Sequence, residues 1–405
     1  MFFWGVFSAV LFSVFSYANS KVFSFVLTLF SYYIVGIFTY FLGVEFGSGI
    51  AFFPLVIYVV ILLDNVGSVK LCPRIFVLGF SLFVLLLLMI FSLLYSDDYD
   101  SGYSYIVSYI YGVIVPAVTA YFLSFNRLIP LRKFQDYFVV VMLSVVVFSI
   151  IFDGEYKGRL TVPNTNPIYF SLLCALGFVV SLLRIIEVKI NRKNFAFSLL
   201  SCCLLFYALI MSGSRGALLA TLIAIFCYLF LDLFRVIYKG RTWFRFNFFI
   251  VTGGFIAIFS LFLLGSSSRS ISGLVDVFQG DLGRSGNIRL DTLSFWISEL
   301  FSSPFLGVGV GSLPGYPHNI FVEIVVMLGI PGLFASVFLI CLFVKNYINL
   351  VFLGKHDERV LGTMMLVSLL SSFLSYSLWM KGELFVMLVL AVFCSRDRSW
   401  VSKSE

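Results

Sequence analysis

Charge is what this chain has least of. Only 12% of its 405 residues are Asp, Glu, Lys or Arg, against 61% hydrophobic. A water-soluble fold carries about twice that share of charge, so lipid must be the solvent for most side chains. Histidine is nearly missing as well, with two in the whole chain. The seven cysteines (Cys72, Cys174, Cys202, Cys203, Cys227, Cys341, Cys394) lie in apolar runs or beside basic loops. They show no metal-ligand spacing, and their odd number argues against a disulfide framework, so they read as small buried hydrophobes. No metal site and no cofactor is expected. The net charge of +7 does not imply a nucleic-acid partner, because the basic residues fall in short loops between apolar runs, where they set topology. The first run also lacks the basic start and small-residue cleavage site of a signal peptide. A membrane β-barrel would show short alternating segments, and none is seen.

What is there is a succession of apolar runs of about 17–25 residues, each long enough to span a bilayer. The fold class is therefore all-α, a polytopic integral membrane protein with roughly 12 or 13 spans, from a first run at 2–18 to a last at 383–395. Four regions follow: N-terminal spans (1–152), central spans with outer turns (153–264), an outer loop (265–318), and C-terminal spans with a basic tail (319–405). Lysine and arginine orient them. Arg127, Arg132 and Lys133 form one basic loop, Arg184, Lys189, Arg192 and Lys193 a second, and Arg235, Lys239, Arg241 and Arg245 a third. With these and the tail inside, the turns 153–167, 212–216 and 265–318 face outward. Arg159, Arg215, Arg284, Arg289 and His318 then lie on the outer side against the general charge rule, which calls for an anionic partner.

His318 opens an apolar span after Gly315-Tyr316-Pro317, and an imidazole there can do general-base work or merely cap a helix. His356, in the run Lys355-His356-Asp357-Glu358-Arg359, reads as solvated. Arg215 stands in the tight turn Ser212-Gly213-Ser214-Arg215-Gly216, where a helix start and a guanidinium together make an anion site. The bland alternative is a hairpin arginine reaching for headgroups. Arg159 and Arg289 carry the same two readings, while Arg284 and Arg269 fall in flexible-looking sequence. Glu323, one turn into a span, is an unusual acid that could pair with an arginine or accept a proton. The run Gly307-Val308-Gly309-Val310-Gly311 lacks the lysine of a phosphate loop and reads as a compact turn. Between Leu290 and Ser303 the spacing of Leu293, Trp296, Ile297 and Leu300 predicts a short amphipathic helix on the membrane surface, with Arg289 on its lipid-facing stripe.

These residues resemble a family. His318-Asn319, nine residues, then Gly329-Ile330-Pro331-Gly332 is similar to a pattern of the O-antigen ligase and O-antigen polymerase superfamily of bacterial membrane glycosyltransferases. Ser214-Arg215-Gly216-Ala217-Leu218-Leu219-Ala220 resembles its second common stretch. Arg289 followed by Pro304-Phe305-Leu306-Gly307-Val308-Gly309 resembles the segment before its histidine, and Arg159-Leu160 with the Pro-Asn turn resembles a further feature. The chain departs from many members at Met327, where they carry an acid. The resemblance implies a metal-independent, inverting transfer of glycan from an undecaprenyl diphosphate carrier to an acceptor glycan, at the periplasmic face of the inner membrane. It implies that Arg215, Arg289 and Arg159 hold the diphosphate and that His318 activates the acceptor, with Asn319, Glu323 and Arg284 as further candidates. It also brings a chain-length regulator into view as a partner, besides the bilayer itself. The compact outer loop favours a polymerase of surface polysaccharide. A ligase joining polymer to lipid A core is the alternative, and a flippase or polysaccharide transporter is the reading from a different class.

Overall fold

The apolar runs become helices in a computed structural model, which describes residues 20–42, 52–65, 73–125, 129–152, 154, 158–163, 165–186, 192–239 and 283–401. In chain order these are α1 (Lys21–Leu29), α2 (Ser31–Leu42), α3 (Phe52–Asn65), α4 (Pro73–Ser92), α5 (Tyr99–Tyr109), α6 (Val115–Phe125), α7 (Leu131–Ile151), α8 (Pro167–Ile185), α9 (Arg192–Met211), α10 (Arg215–Lys239), α11 (Gly283–Ser302), α12 (Ile320–Leu353), α13 (His356–Leu374) and α14 (Gly382–Val401). A π-helical turn, Ile110–Ile114, joins α5 to α6. Among the described residues there is no strand, and seven helices are long and apolar enough to cross a membrane. The fold is all-α and multi-pass. The expected spans at 2–18 and 247–264 lie outside the described residues, as does Arg269. The apolar stretch 21–42 is two helices that meet at Phe30.

At the centre stands α8. Its sequence PIYFSLLCALGFVVSLLRI is apolar on every side, which marks a helix surrounded by protein, and every residue from Phe170 to Arg184 is buried. The Asn166 side chain accepts from the Ile168 N–H (2.9 Å), and Pro167 at the first position needs no such partner. The other end is held by an ion pair from Arg184 to Asp136 of α7. Helices α7, α9, α10 and α13 pack around it. Since lipid tails are as apolar as Leu, this core is held by close packing rather than by escape from water. Gly177 illustrates it: an added Cβ would sit 3.1 Å from Leu205 of α9.

Helix α12 is broken where the sequence has Gly329. That residue has φ +59° and ψ −139°, inside what is otherwise a 34-residue helix. The break exposes carbonyls, and the glycine-rich turn fills it. Val308 N–H donates to Val326 O (3.0 Å), Gly309 N–H to Met327 O (3.1 Å), and Ile330 N–H to Pro304 O (3.2 Å). Backbone meets backbone so closely that a Cβ on Gly307 would lie 2.5 Å from Met327 O, and one on Gly329 2.6 Å from Gly307 N. Only glycine fits either place. The run Gly307–Gly311 is thus a compact turn, one that locks the kink of α12 and positions the chain just before His318.

The amphipathic helix begins earlier than its apolar spacing suggests. It covers Gly283–Ser302, so Arg289 lies within it, two turns in. Of the predicted stripe, Leu293, Trp296 and Leu300 face protein together with Arg289, while Ile297 is exposed: Trp296 is buried, at 3% exposure, and α11 packs on α12. The lipid-facing assignment of Arg289 is therefore corrected. Its aliphatic stem shares the stripe, but a neighbouring helix, not the bilayer, covers that face.

Candidate active site

The site grows from the start of α12. Asn319 is its N-cap, the side-chain oxygen accepting from Phe321 N–H (3.0 Å) and Val322 N–H (3.2 Å), so its amide is spent on the helix end. His318, just before the cap, has φ +59°, a left-handed conformation uncommon for residues with a Cβ. Strain of this kind is kept only where surroundings enforce it, and it gathers at functional sites. The ring packs edge-on against Tyr316, centroids 4.5 Å apart. Its Nδ1 is buried and makes no hydrogen bond. Burial first, and the positive charge of Arg289 second, press the imidazole from 6.5 down to about 4, so it is neutral at physiological pH and able to accept a proton.

Arg289 acts on this histidine, and two further arginines from other segments act on Arg289. Arg289, on α11, is half-buried and donates from Nη1 to Leu374 O (3.1 Å). Burial lowers its affinity for a proton most, and Arg215 and Arg159 lower it further, so Arg289 lies within the field of both. Arg215 is the first residue of α10, at the positive end of that helix's dipole. Leu374 reaches this helix start too, since a Cβ on Gly216 would lie 3.4 Å from the Leu374 Cβ. Arg159 lies across the turn before α10: a Cβ on Gly213 would be 3.1 Å from its Cγ and Nε. That turn has Gly213 at φ +70°, and Leu160 N–H donates to Met211 O (2.9 Å), tying the Arg159 loop to it. Clustered like charges repel, and the space between them attracts an anion.

Of the remaining candidates, Arg284 is in the first turn of α11, its side chain outside the described residues. Glu323 is 1% exposed and does not pair with an arginine among the described residues. Its carboxylate accepts from the Ser377 hydroxyl (2.6 Å) and the Leu378 N–H (2.8 Å). It therefore anchors the segment between α13 and α14 rather than facing the guanidiniums.

That segment, Ser375–Lys381, is what sequence reasoning missed. Just before it Leu374, at the end of α13, presents its carbonyl to Arg289, and the segment itself presents Ser377 to Glu323 and Tyr376, at φ +85°, to the interior. Beneath it lies a buried charge pair. Lys381 Nζ is 3.5 Å from the Glu383 carboxylate, 2.8 Å from Ser371 Oγ and 3.8 Å from the Tyr376 ring centre. Glu383 also accepts from Ser368 (3.1 Å) and Tyr169 (3.4 Å). The signal was present: two opposite charges flanking Gly382 between apolar runs, where ionisable groups are rare and have a partner.

Comparison with known proteins bears on this constellation. No curated protein matches the chain. Residues 200–337 match the family model described as O-antigen ligase. The matched segment contains Arg215, Arg289, His318 and the two glycines of the α12 break, whereas Arg159 and the Lys381–Glu383 pair lie outside it. Over that segment, about a third of the chain, the protein is similar to the family described as O-antigen ligase.

Proposed function

We propose that the chain transfers glycan from an undecaprenyl diphosphate carrier to an acceptor sugar at the periplasmic face of the inner membrane, as a polymerase of surface polysaccharide. The observation that carries this reading is Arg289, set between a neutral, half-buried His318 on one side and Arg215 and Arg159 on the other. An acceptor hydroxyl attacks the anomeric carbon from the face opposite the carrier, and its proton passes to the imidazole. The bond from that carbon to the phosphate oxygen breaks, and the carrier diphosphate leaves with the bonding pair. Negative charge concentrates on the departing oxygens, where guanidiniums already in place stabilise it without reorganising. Arg289 couples the two halves. While the site is empty its charge holds His318 acidic, and a bound diphosphate neutralises that charge. Donor binding thus raises the basicity of the imidazole just when a base is needed.

The acceptor distinguishes polymerase from ligase. The outer segment from α11 to His318 is short and packed on α12, which supports a small acceptor; the matched family's description supports the ligase alternative. A deletion strain's lipopolysaccharide, run on a gel, tests the choice. Core with one repeat attached is expected for a polymerase. Bare core, with carrier-linked polymer accumulating, would move the assignment to ligase, and an unchanged pattern would remove both.

A further inference from the structure

A hollow with a chemistry different from that of the arginine site opens near the segment that leads to His318. Its volume is about 750 Å³, within the range of small-molecule sites, and it opens between α5 and the segment Gly311–Gly315. One wall is a helical stripe of hydroxyls, Ser101, Ser104 and Ser108, spaced to share a face of α5. Asp98 and Asp100, at the start of α5, and the half-buried Trp379 complete the lining.

The walls are fixed to each other. Ser96 Oγ donates to Val310 O (2.7 Å), and Asp97 N–H donates to Ser312 Oγ (3.1 Å). At the contact itself, a Cβ on Gly102 would fall 2.5 Å from Val310 O, and one on Gly311 2.2 Å from Gly102 N. The cavity is therefore built in advance and does not have to form around a ligand. Its chemistry excludes a second diphosphate. Asp98 accepts from the Ser101 N–H (3.0 Å) and hydroxyl (2.7 Å), bonds that keep its carboxyl ionised, and an anion would meet it at the mouth.

Hydroxyls, carboxylates and an aromatic face together suit a sugar: oxygens accept and return its hydroxyl hydrogen bonds, and the indole covers its C–H face. We propose that this cavity is the subsite for the non-reducing end of the acceptor, and that it takes neutral or amino sugars rather than acidic ones. This rests on the reading of the chain as a glycan transferase. Position supports it, because Gly315 is three residues before His318. Tyr105 also lines the cavity and lies 3.4 Å from the Ser377 hydroxyl that holds Glu323.

The test uses the full chain in lipid nanodiscs with two probes. One is undecaprenyl diphosphate; the other is the oligosaccharide released by mild acid from carrier-linked glycan of cells lacking this chain. Saturation-transfer NMR reports the second, and phosphorus NMR the first. Ser104→Trp, which fills the cavity from an exposed position, is expected to abolish oligosaccharide binding, and Asp100→Asn to weaken it about tenfold, the loss of one charge-assisted hydrogen bond. Both should hold undecaprenyl diphosphate as the wild type does, which also shows that they fold. Wild-type oligosaccharide affinity in both variants would overturn the subsite. Arg289→Ala should do the reverse, losing the diphosphate and keeping the sugar. If it retains the diphosphate, the transferase reading fails separately, while the sugar arm still decides the cavity.

Discussion

Arg289→Gln is the most informative single change, because it removes one charge and leaves the burial of His318 in place. In the wild type the imidazole titrates near 4 rather than 6.5, with burial the larger cause and Arg289 the smaller. Removing the charge alone should therefore raise the midpoint above 4 but by less than half of the gap, leaving it well below 6.5. The sign for stability follows. The unfolded chain takes up this proton near 6.5 and the folded chain only near 4, so acid favours unfolding as pH falls through that window. Above 6.5 both states are neutral and the effect vanishes. In Arg289→Gln the window narrows from its acid end. With only two histidines in the chain, the measurement is direct: label histidine with nitrogen-15, remove the other ring as His356→Gln, and titrate the full protein in nanodiscs. A wild-type midpoint near 6.5, or one that Arg289→Gln leaves where it was, would refute the electrostatic coupling between donor site and base.

Three further outcomes are expected. Arg289→Lys keeps the charge but replaces a planar fork with a point charge; losing one charge-assisted bond of about 1.5–3 kcal/mol should lower transfer by roughly 10- to 150-fold, measured with carrier-linked glycan, and a rate within twofold of wild type would count against bidentate holding. Gly307→Ala puts a Cβ 2.5 Å from Met327 O at φ +75°; it should destabilise the α12 kink by about 2 kcal/mol or more, visible as a lower thermal transition in detergent, whereas an unchanged transition would contradict the packing. Lys381→Met leaves Glu383 buried without its cation and should cost about 3–5 kcal/mol, with the double change Lys381→Met/Glu383→Gln recovering part; equal losses in both would argue that the charge pair does not hold the Ser375–Lys381 segment.

Much of this was legible in the sequence for one physical reason: in lipid, a polar residue stands out. Arg159, Arg215, Arg289 and His318 could be singled out because loop charges gave orientation, and the fold brings these residues together from α10, α11 and two loops. What the sequence hid was direction and partnership. Leu290–Ser303 showed an apolar stripe, but periodicity cannot say whether lipid or α12 covers it, and so Arg289 was placed outward. Glu323 was conspicuous, yet its partners, Ser377 and Leu378, lie over 50 residues away. The Lys381–Glu383 pair, at the junction of two apolar runs, was not singled out. The glycine run was read as a compact turn, but its docking into the break at Gly329 depends on backbone contacts that no spacing rule conveys.

The account stands on an arginine cluster that holds a carrier diphosphate as a glycan leaves it, with His318 taking the acceptor's proton. The direct measurement is release of undecaprenyl diphosphate by purified chain in nanodiscs, supplied with carrier-linked glycan in the presence of EDTA. The account predicts one diphosphate released per glycosidic bond formed, neither seen in His318→Ala although that variant still binds donor. Bond formation that persists in His318→Ala, or glycan that crosses the bilayer still attached to its carrier, would contradict it.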